Sequence, residues 1–251
     1  MIDFVGAGPG AADLITVRGK ARLEQADIVI YAGSLVNPEL LSYIKKGCQI
    51  YNSASMTLEE VIAVMEEGEK QGKKIVRLHT GDPCIYGAIR EQMDLLDEKR
   101  IAYEVVPGVS SFIGAAAALK AEFTLPDVSQ TVILTRMAGR TPVPEKEEIS
   151  KLASHHATMV IFLSSSMLEK LSQRLMEGGY EADTPAAIVY KATWPDEKVI
   201  ITRVKELAEA AEKNGIYKTA LILVGDFLGK DYSRSKLYDP SFTHEFREAS
   251  K

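Results

Sequence analysis

Arg77-Leu78-His79-Thr80-Gly81-Asp82-Pro83-Cys84-Ile85-Tyr86-Gly87 joins two kinds of sequence. Before it, Lys74-Ile75-Val76-Arg77-Leu78 is an apolar run of the length expected for a buried parallel strand. After it, a helical pattern resumes at Ala88. A strand, an abrupt Gly-Asp-Pro turn and a helix make the repeating unit of an α/β fold, whose ligands bind just beyond the carboxyl ends of the strands. Gly81 lets the backbone approach a ligand closely, and Pro83 fixes φ and removes a competing amide donor. Asp82, between them, can cap the turn or accept hydrogen bonds from a ligand. A bare G-D-P is usually only a turn, so its meaning depends on the rest of the chain.

Upstream, the strand Ile2-Asp3-Phe4-Val5 runs into Gly6-Ala7-Gly8-Pro9-Gly10-Ala11, which fits the dinucleotide fingerprint G-x-G-x-x-G/A. The context argues against NAD. In that motif the helix opens inside the glycine run and holds the pyrophosphate at its amino terminus. Here Pro9 interrupts the run, and the first helix starts only at Thr16-Val17. No acidic residue ends the second strand, Ile28-Val29-Ile30-Tyr31, either. The small-residue loop Ala32-Gly33-Ser34 follows, then a short helix over 39–45 and a strand over 49–51. Thr57-Leu58-Glu59-Glu60 is a capping box, and Leu58, Val61, Ile62 and Met65 recur at helical spacing behind it. Gly72 ends that helix. Beyond the central stretch come a helix carrying Ile89, Met93 and Leu96, the strand Tyr103-Glu104-Val105-Val106, the loop Pro107-Gly108-Val109-Ser110-Ser111 and an alanine-rich helix over 114–119. Strands alternating with helices predict a mostly parallel sheet, with loops 6–10, 32–34, 80–86 and 107–111 gathered at one edge.

The link Phe123-Thr124-Leu125-Pro126-Asp127 predicts a boundary between domains 1–122 and 123–251. Beyond it a strand over 131–135 leads to Arg136-Met137-Ala138-Gly139-Arg140-Thr141-Pro142. Two arginines in a Gly/Pro-bounded loop can clamp carboxylates bidentately, and a solvated charged loop is the equal alternative. Strands over 158–163 and 186–190 flank a helix with Leu168, Leu171 and Leu175. Lys191-Ala192-Thr193-Trp194-Pro195-Asp196-Glu197, with the only tryptophan, reads as a hairpin turn into Val199-Ile200-Ile201-Thr202. A last helix and the strand over 219–225 complete a mixed α/β half, and the tail from Tyr232 is expected to fray.

The chain has 251 residues, a formal net charge of −5 and two cysteines. That acidic balance disfavours a general nucleic-acid binder, and two cysteines are too few for a disulfide framework or a four-ligand zinc site. The amino terminus lacks a signal-peptide pattern, and no apolar run approaches the ~20 residues of a membrane span. The expectation is a cytoplasmic protein with no membrane or nucleic-acid partner. His155-His156 is a poor metal site, His79 is expected to satisfy a local hydrogen bond, and no metal-ligand spacing or catalytic triad is present.

In order and spacing, Val5-Gly6-Ala7-Gly8-Pro9-Gly10, Gly81-Asp82-Pro83 and Pro107-Gly108-Val109-Ser110-Ser111 resemble the tetrapyrrole (corrin/porphyrin) methylase family over nearly the whole chain. Three further stretches, 31–36, 135–142 and 192–197, resemble its precorrin-4 C(11)-methylating branch, most of all the members that act on cobalt-precorrin-4. The resemblance implies a two-domain α/β fold, with a mostly parallel sheet in the amino-terminal domain and a mixed sheet in the carboxy-terminal one. It further implies S-adenosylmethionine in a cleft between the domains, a tetrapyrrole substrate and a homodimer. Carried over by motif, the cofactor contacts are Pro9, Gly81, Asp82, Ile85, Ser110, Ser111, Leu163, Ala192, Thr219 and Ala220. A corrinoid precursor is a polyanion, so Arg136 and Arg140 become candidates for substrate binding, with Arg18, Lys20 and Lys191 as possible helpers. Where uroporphyrinogen methylases carry an aspartate after the tyrosine of the second strand, this chain has Ala32, so no catalytic carboxylate carries over and the catalytic residues stay unassigned. Alternatives are a relative methylating another precorrin position, ribosomal RNA or a diphthamide precursor, and a tetrapyrrole carrier without activity.

Overall fold

A computed structural model describes residues 1–33 and 35–250, so the part of the 32–34 loop at Ser34 lies outside the described residues. The chain divides into two compact units, the first formed by Met1–Ala115 together with Lys191–Glu197, the second by residues 116–190 and those from 198 onward.

The first unit alternates β1 (Ile2–Gly6), α1 (Val17–Gln25), β2 (Ile28–Tyr31), β3 (Gln49–Asn52), α2 (Leu58–Lys70), β4 (Ile75–His79), α3 (Arg90–Glu98) and β5 (Tyr103–Val106). α4 (Ser111–Leu119) follows, and the division between units falls within it. The sheet order is β3-β2-β4-β1-β5, every pairing parallel, as the alternation requires. The inner strands β1, β2 and β4 are buried on both faces, hence their near-continuous apolar runs in the sequence. On one face Val5, Val76 and Leu78 pack with Leu23, Val36 and Leu40. On the other Ile2, Phe4 and Ile75 pack with Val61, Ile62, Met65 and Leu96. Each such side chain contributes roughly 1.5–3 kcal/mol on burial. Thr16 caps α1 by accepting the Gly19 amide, and the Thr57–Glu60 capping box opens α2 as expected.

Three helix expectations are corrected. The 39–45 helix is a 3₁₀ segment over Pro38–Tyr43, opened by Asn37 accepting the Glu39 amide, with Pro38 in its first turn. α3 starts at Arg90 rather than Ala88, because Tyr86 (φ 56°) and Ala88 (φ 49°) are left-handed and cannot propagate a right-handed helix. α4 starts at Ser111 rather than at residue 114, because the Ser110 carbonyl already accepts the amides of Ile113 and Gly114.

The second unit holds β6 (Val132–Arg136), α5 (Ile149–Ala153), β7 (Thr158–Phe162), α6 (Leu168–Glu177), β8 (Pro185–Tyr190), β9 (Lys198–Arg203), α7 (Leu207–Lys213) and β10 (Ala220–Val224). Its sheet, β6-β7-β10-β8-β9, is mixed: β6 and β7 are parallel, and the remaining pairs are antiparallel. Met159, Ile161, Ile188 and Ile222 face Leu171 and Leu175 of α6 and Leu207 of α7. The tail, expected to fray, turns back on itself, since Arg247 donates to the carbonyls of Leu237 and Asp239 and so organises the segment locally.

Candidate functional site

Parallel register places the carboxyl ends of β4, β1 and β5 side by side, with Gly6 opposite His79 and Val5 opposite Val106. The loops that leave those ends are tied to one another by main-chain bonds. Gly8 and Gly81 exchange both hydrogen bonds, at 3.2 and 2.8 Å, and the Ala7 amide reaches the His79 carbonyl at 2.7 Å. A Cβ added at Gly6 would stand 2.5 Å from the Gly108 Cα, and one at Gly108 would stand 2.2 Å from the Gly81 carbonyl oxygen. Gly6 and Gly108 therefore exist so that three loops can stack backbone on backbone. Gly81 adds a left-handed φ of 59°, and a Cβ there would press to 3.3 Å from the Ser111 amide.

Asp82 holds this stack with both carboxylate oxygens. Oδ1 accepts the Cys84 amide at 2.8 Å, closing the turn of its own loop, and Oδ2 accepts the Gly108 amide at 2.8 Å. Ile85 continues the turn, its amide donating to the Asp82 carbonyl. Partial burial and the Asp82 carboxylate hold the Cys84 thiol above its ordinary pKa.

Lys191–Glu197 belongs to the same unit and joins its loops. Ala192 is buried, and Thr193 Oγ1 accepts the Ala11 amide at 3.0 Å. A Cβ at Gly114 would stand 2.8 Å from the Pro9 Cβ and 3.4 Å from the Thr193 methyl. Contacts within this unit thus link Pro9 to the 191–197 turn that carries Ala192, and link Gly81 and Asp82 to the Gly108–Ser111 loop.

In the second unit the antiparallel register, Ile161 opposite Ile222, sets the end of β7 beside the start of β10. Leu163, just past β7, and Thr219, just before β10, both have left-handed φ angles, 52° and 58°. Leu163 is also 65% exposed. A bulky or β-branched residue in that region is strained by about 1–3 kcal/mol, and such strain concentrates where ligands bind. The Ala220 carbonyl accepts the Ser165 hydroxyl at 3.0 Å, fixing the same corner. Sequence carried no signal for this strain.

Arg136 is the last residue of β6, and its guanidinium turns back onto its own loop. It donates to the carbonyls of Met137 and Thr141 at 3.1 and 3.2 Å and of Pro142 at 2.7 Å. Arg140 stands exposed in the loop that Arg136 ties. The suggested helpers are engaged elsewhere: Arg18 with Glu104, Lys20 with Glu24 and the Tyr43 ring, Lys191 with Asp196 and the Trp194 ring.

His79 corrects an expectation. Its Nε2 is buried without a hydrogen-bond partner, because strand alternation points the ring to the apolar face of β4, where it lies 6.1 Å from the Phe4 ring. Burial first, and then the Arg77 charge, push its pKa down to about 3, so the imidazole is neutral. Arg77, also buried, bonds Gln92 Oε1 and the Ile30 carbonyl at 3.2 Å each, and burial lowers its pKa to about 10. Arg77 is not singled out in the sequence.

The donor set has a definite chemistry. Loops 6–10, 80–87 and 107–111 contain no lysine or arginine and offer amides, carbonyls, the Asp82 carboxylate and the hydroxyls of Thr80, Tyr86, Ser110 and Ser111. Such a set suits a nucleoside, and S-adenosylmethionine fits it; the glycine loop does not open the helix whose amino terminus would hold a dinucleotide's pyrophosphate, since α1 starts only at Val17. Among the described residues, no group of three or more His, Cys, Asp or Glu is placed to hold a metal ion.

Comparison with known proteins adds the following. The family description tetrapyrrole (corrin/porphyrin) methylases matches residues 1–208. The chain is 58% identical over 249 residues to the cobalt-precorrin-4 C(11)-methyltransferase of Methanocaldococcus jannaschii, covering 99% of this chain and 96% of that one. It is 51% identical over 253 residues to the Priestia megaterium protein of the same name, covering 99% and 98%. Among solved structures, a cobalamin biosynthetic enzyme, cobalt precorrin-4 methyltransferase, superposes with a TM-score of 0.89 at 50% identity, covering 91% of this chain and 96% of that one. Uroporphyrin-III-C-methyltransferase from Thermus thermophilus gives 0.75 at 29% identity, covering 91% and 93%.

Proposed function

The chain belongs to the tetrapyrrole (corrin/porphyrin) methylase family, and from that premise we propose that it transfers a methyl group from S-adenosylmethionine to C-11 of cobalt-precorrin-4 in cobalamin biosynthesis, on the anaerobic route. The observation that carries this reading is near-full-length similarity, above half identity, to proteins of that activity.

Bound S-adenosylmethionine supplies a methyl group on a sulfonium, open to in-line displacement by an electron-rich ring carbon. The chain's own contribution is placement. The Gly8–Gly81 bridge and the Asp82–Gly108 bond make the loops of the first unit rigid before any ligand arrives. Their donors and acceptors suit adenosine and the methionine portion, with Pro9, Gly81, Asp82, Ile85, Ser110, Ser111 and Ala192 as the contacts we assign in this unit. Leu163, Thr219 and Ala220 are those we assign in the second, supported by the strain at Leu163 and Thr219. Pre-formed binding of this kind lowers the barrier through orientation and exclusion of water, without a general base. Arg140 is the residue best suited to meet a substrate carboxylate, with Arg136 setting its loop. We further assign a homodimer, supported by the family resemblance and by edge strand β9, which leaves Ile201 63% exposed. A cytoplasmic location is supported by two free cysteines; among the described residues no helix is long and apolar enough to cross a membrane.

The test is incubation with S-adenosylmethionine and cobalt-precorrin-4, with the product's mass measured and any new methyl assigned by NMR. A methyl at C-11 is expected; transfer to another carbon, or none, overturns the assignment.

A further inference from the structure

The only tryptophan of the chain lies outside both apolar clusters of the first unit and presses instead on the backbone of a glycine. A Cβ placed on Gly10 would stand 2.1 Å from Cδ1 of Trp194 and 2.8 Å from the Ala192 carbonyl oxygen, so indole and carbonyl together occupy the space any side chain at position 10 would need. On the same residue, the Gly10 carbonyl accepts Asn37 Nδ2 at 2.9 Å in a buried bond. The next amide, Ala11, donates to Thr193 Oγ1. The glycine loop and the 191–197 turn are therefore in van der Waals and hydrogen-bond contact along a continuous seam.

The turn that presents the indole is tightly built. Lys191 and Thr193 both adopt left-handed φ angles, 47° and 69°. Trp194 donates its amide to the Lys191 carbonyl and accepts the Glu197 amide, each at 3.0 Å, while Glu197 Oε2 accepts the Thr193 amide at 2.6 Å. Lys191 bonds Asp196 at 2.7 Å and places its ammonium 5.2 Å from the indole centroid, a cation–π contact. Pro195 restricts Trp194 to extended conformations. An anchor needed only to bury apolar area would not require two left-handed residues and a side-chain clamp to orient it.

We infer that Trp194 is a positioning residue for cofactor binding: by seating on Gly10 it fixes the gap between the loop bearing Pro9 and the turn bearing Ala192. The inference rests on the methyltransferase reading above. The indole itself need not touch the cofactor. Removing it lets the seam open, and Pro9 and Ala192 lose the spacing on which a shared ligand depends, since binding groups must be held to fractions of an ångström. A phenyl ring keeps an aromatic face over Gly10 and preserves most of the spacing.

The experiment titrates S-adenosylhomocysteine into wild type, Trp194→Phe and Trp194→Ala by calorimetry, with thermal unfolding of each variant and tryptophan emission of the wild type recorded alongside. Trp194→Ala is expected to weaken binding about tenfold, and Trp194→Phe to stay within about threefold of wild type, with both variants folded. Wild-type emission is expected to shift saturably with the calorimetric midpoint, because the indole reports the seam. A folded Trp194→Ala that binds like wild type overturns the inference, as does wild-type emission that ignores bound ligand. If Trp194→Ala fails to fold, the emission titration and the phenylalanine variant decide in the same way. Wild-type protein that does not bind S-adenosylhomocysteine overturns the methyltransferase reading itself, a distinct result.

Discussion

Asp82 Oδ2 accepts the amide of Gly108 at 2.8 Å, so a carboxylate in the loop after β4 fixes the loop after β5. With Oδ1 engaged by Cys84, the side chain is a double acceptor between two amides. Asp82→Asn replaces one acceptor by an NH₂ group that faces a backbone donor. The expected cost is about 1–3 kcal/mol. Thermal unfolding is expected to move down by several degrees and S-adenosylhomocysteine to bind more weakly; a variant unchanged in both shows that the loops hold without the clamp.

Glycines of this chain separate into two kinds. Gly108 leaves no room, since its Cβ would lie 2.2 Å from the Gly81 oxygen, whereas Gly47 has φ 85° and open space around it. Gly108→Ala must push two loops apart and is expected to cost 3 kcal/mol or more, at the top of the roughly 1–3 kcal/mol range for overpacking. Gly47→Ala bears only the left-handed conformation, about 1 kcal/mol. Urea unfolding of the two variants compares them directly, and equal losses would refute the loop-stacking account.

Arg136 and Arg140 are expected to respond differently. Arg140→Ala is expected to raise the tetrapyrrole KM about fivefold at unchanged melting temperature and to flatten the salt response, because screening acts on charge contacts. Arg136→Ala removes donors from three loop carbonyls and is expected to lower stability as well as raise KM. Both leave S-adenosylhomocysteine affinity near wild type. An Arg140→Ala enzyme with wild-type KM and salt dependence places the anion contact elsewhere.

His79 gives the fold an acid-side liability. Its folded pKa is about 3, against an ordinary value of about 6.5 in the unfolded chain. Between those values only the unfolded state takes up the proton, so this contribution is intact above about pH 6.5 and falls by up to about 1.4 kcal/mol per pH unit below it. His79→Leu, which cannot titrate, is expected to flatten urea-unfolding stability between about pH 6 and pH 4 relative to wild type. Parallel pH profiles for the two proteins would show that His79 is not the group involved.

Local spacing was enough to identify much of this molecule from sequence. The Thr57–Glu60 box with Val61, Ile62 and Met65 behind it specifies α2, because capping and helical periodicity are decided within a few residues. The apolar runs at Ile2, Ile28, Ile75 and Tyr103, separated by helices, specify parallel strands, and parallel strands put the loops after β1, β4 and β5 at one edge. The G-D-P and P-G-V-S-S stretches likewise announce the family, because their turn chemistry is written in consecutive residues.

What those residues do to one another was decided only in three dimensions. Gly6 and Gly108 read only as members of strand-end loops and prove to be openings for each other's backbones, a contact between residues about a hundred positions apart. Arg136 reads as half of a carboxylate clamp or part of a solvated loop and spends its guanidinium on its own loop, since the fold of 137–142 brings carbonyls within its reach. His79 reads as a satisfied polar side chain and is buried unpaired, because strand alternation, not chemistry, chose its face. Trp194 reads as the tip of a hairpin and belongs to the first unit, on Gly10. Sequence determines the period of each element and the φ each turn can tolerate, as these depend on neighbours in the chain. Partners across space depend on how elements pack, which no short stretch encodes.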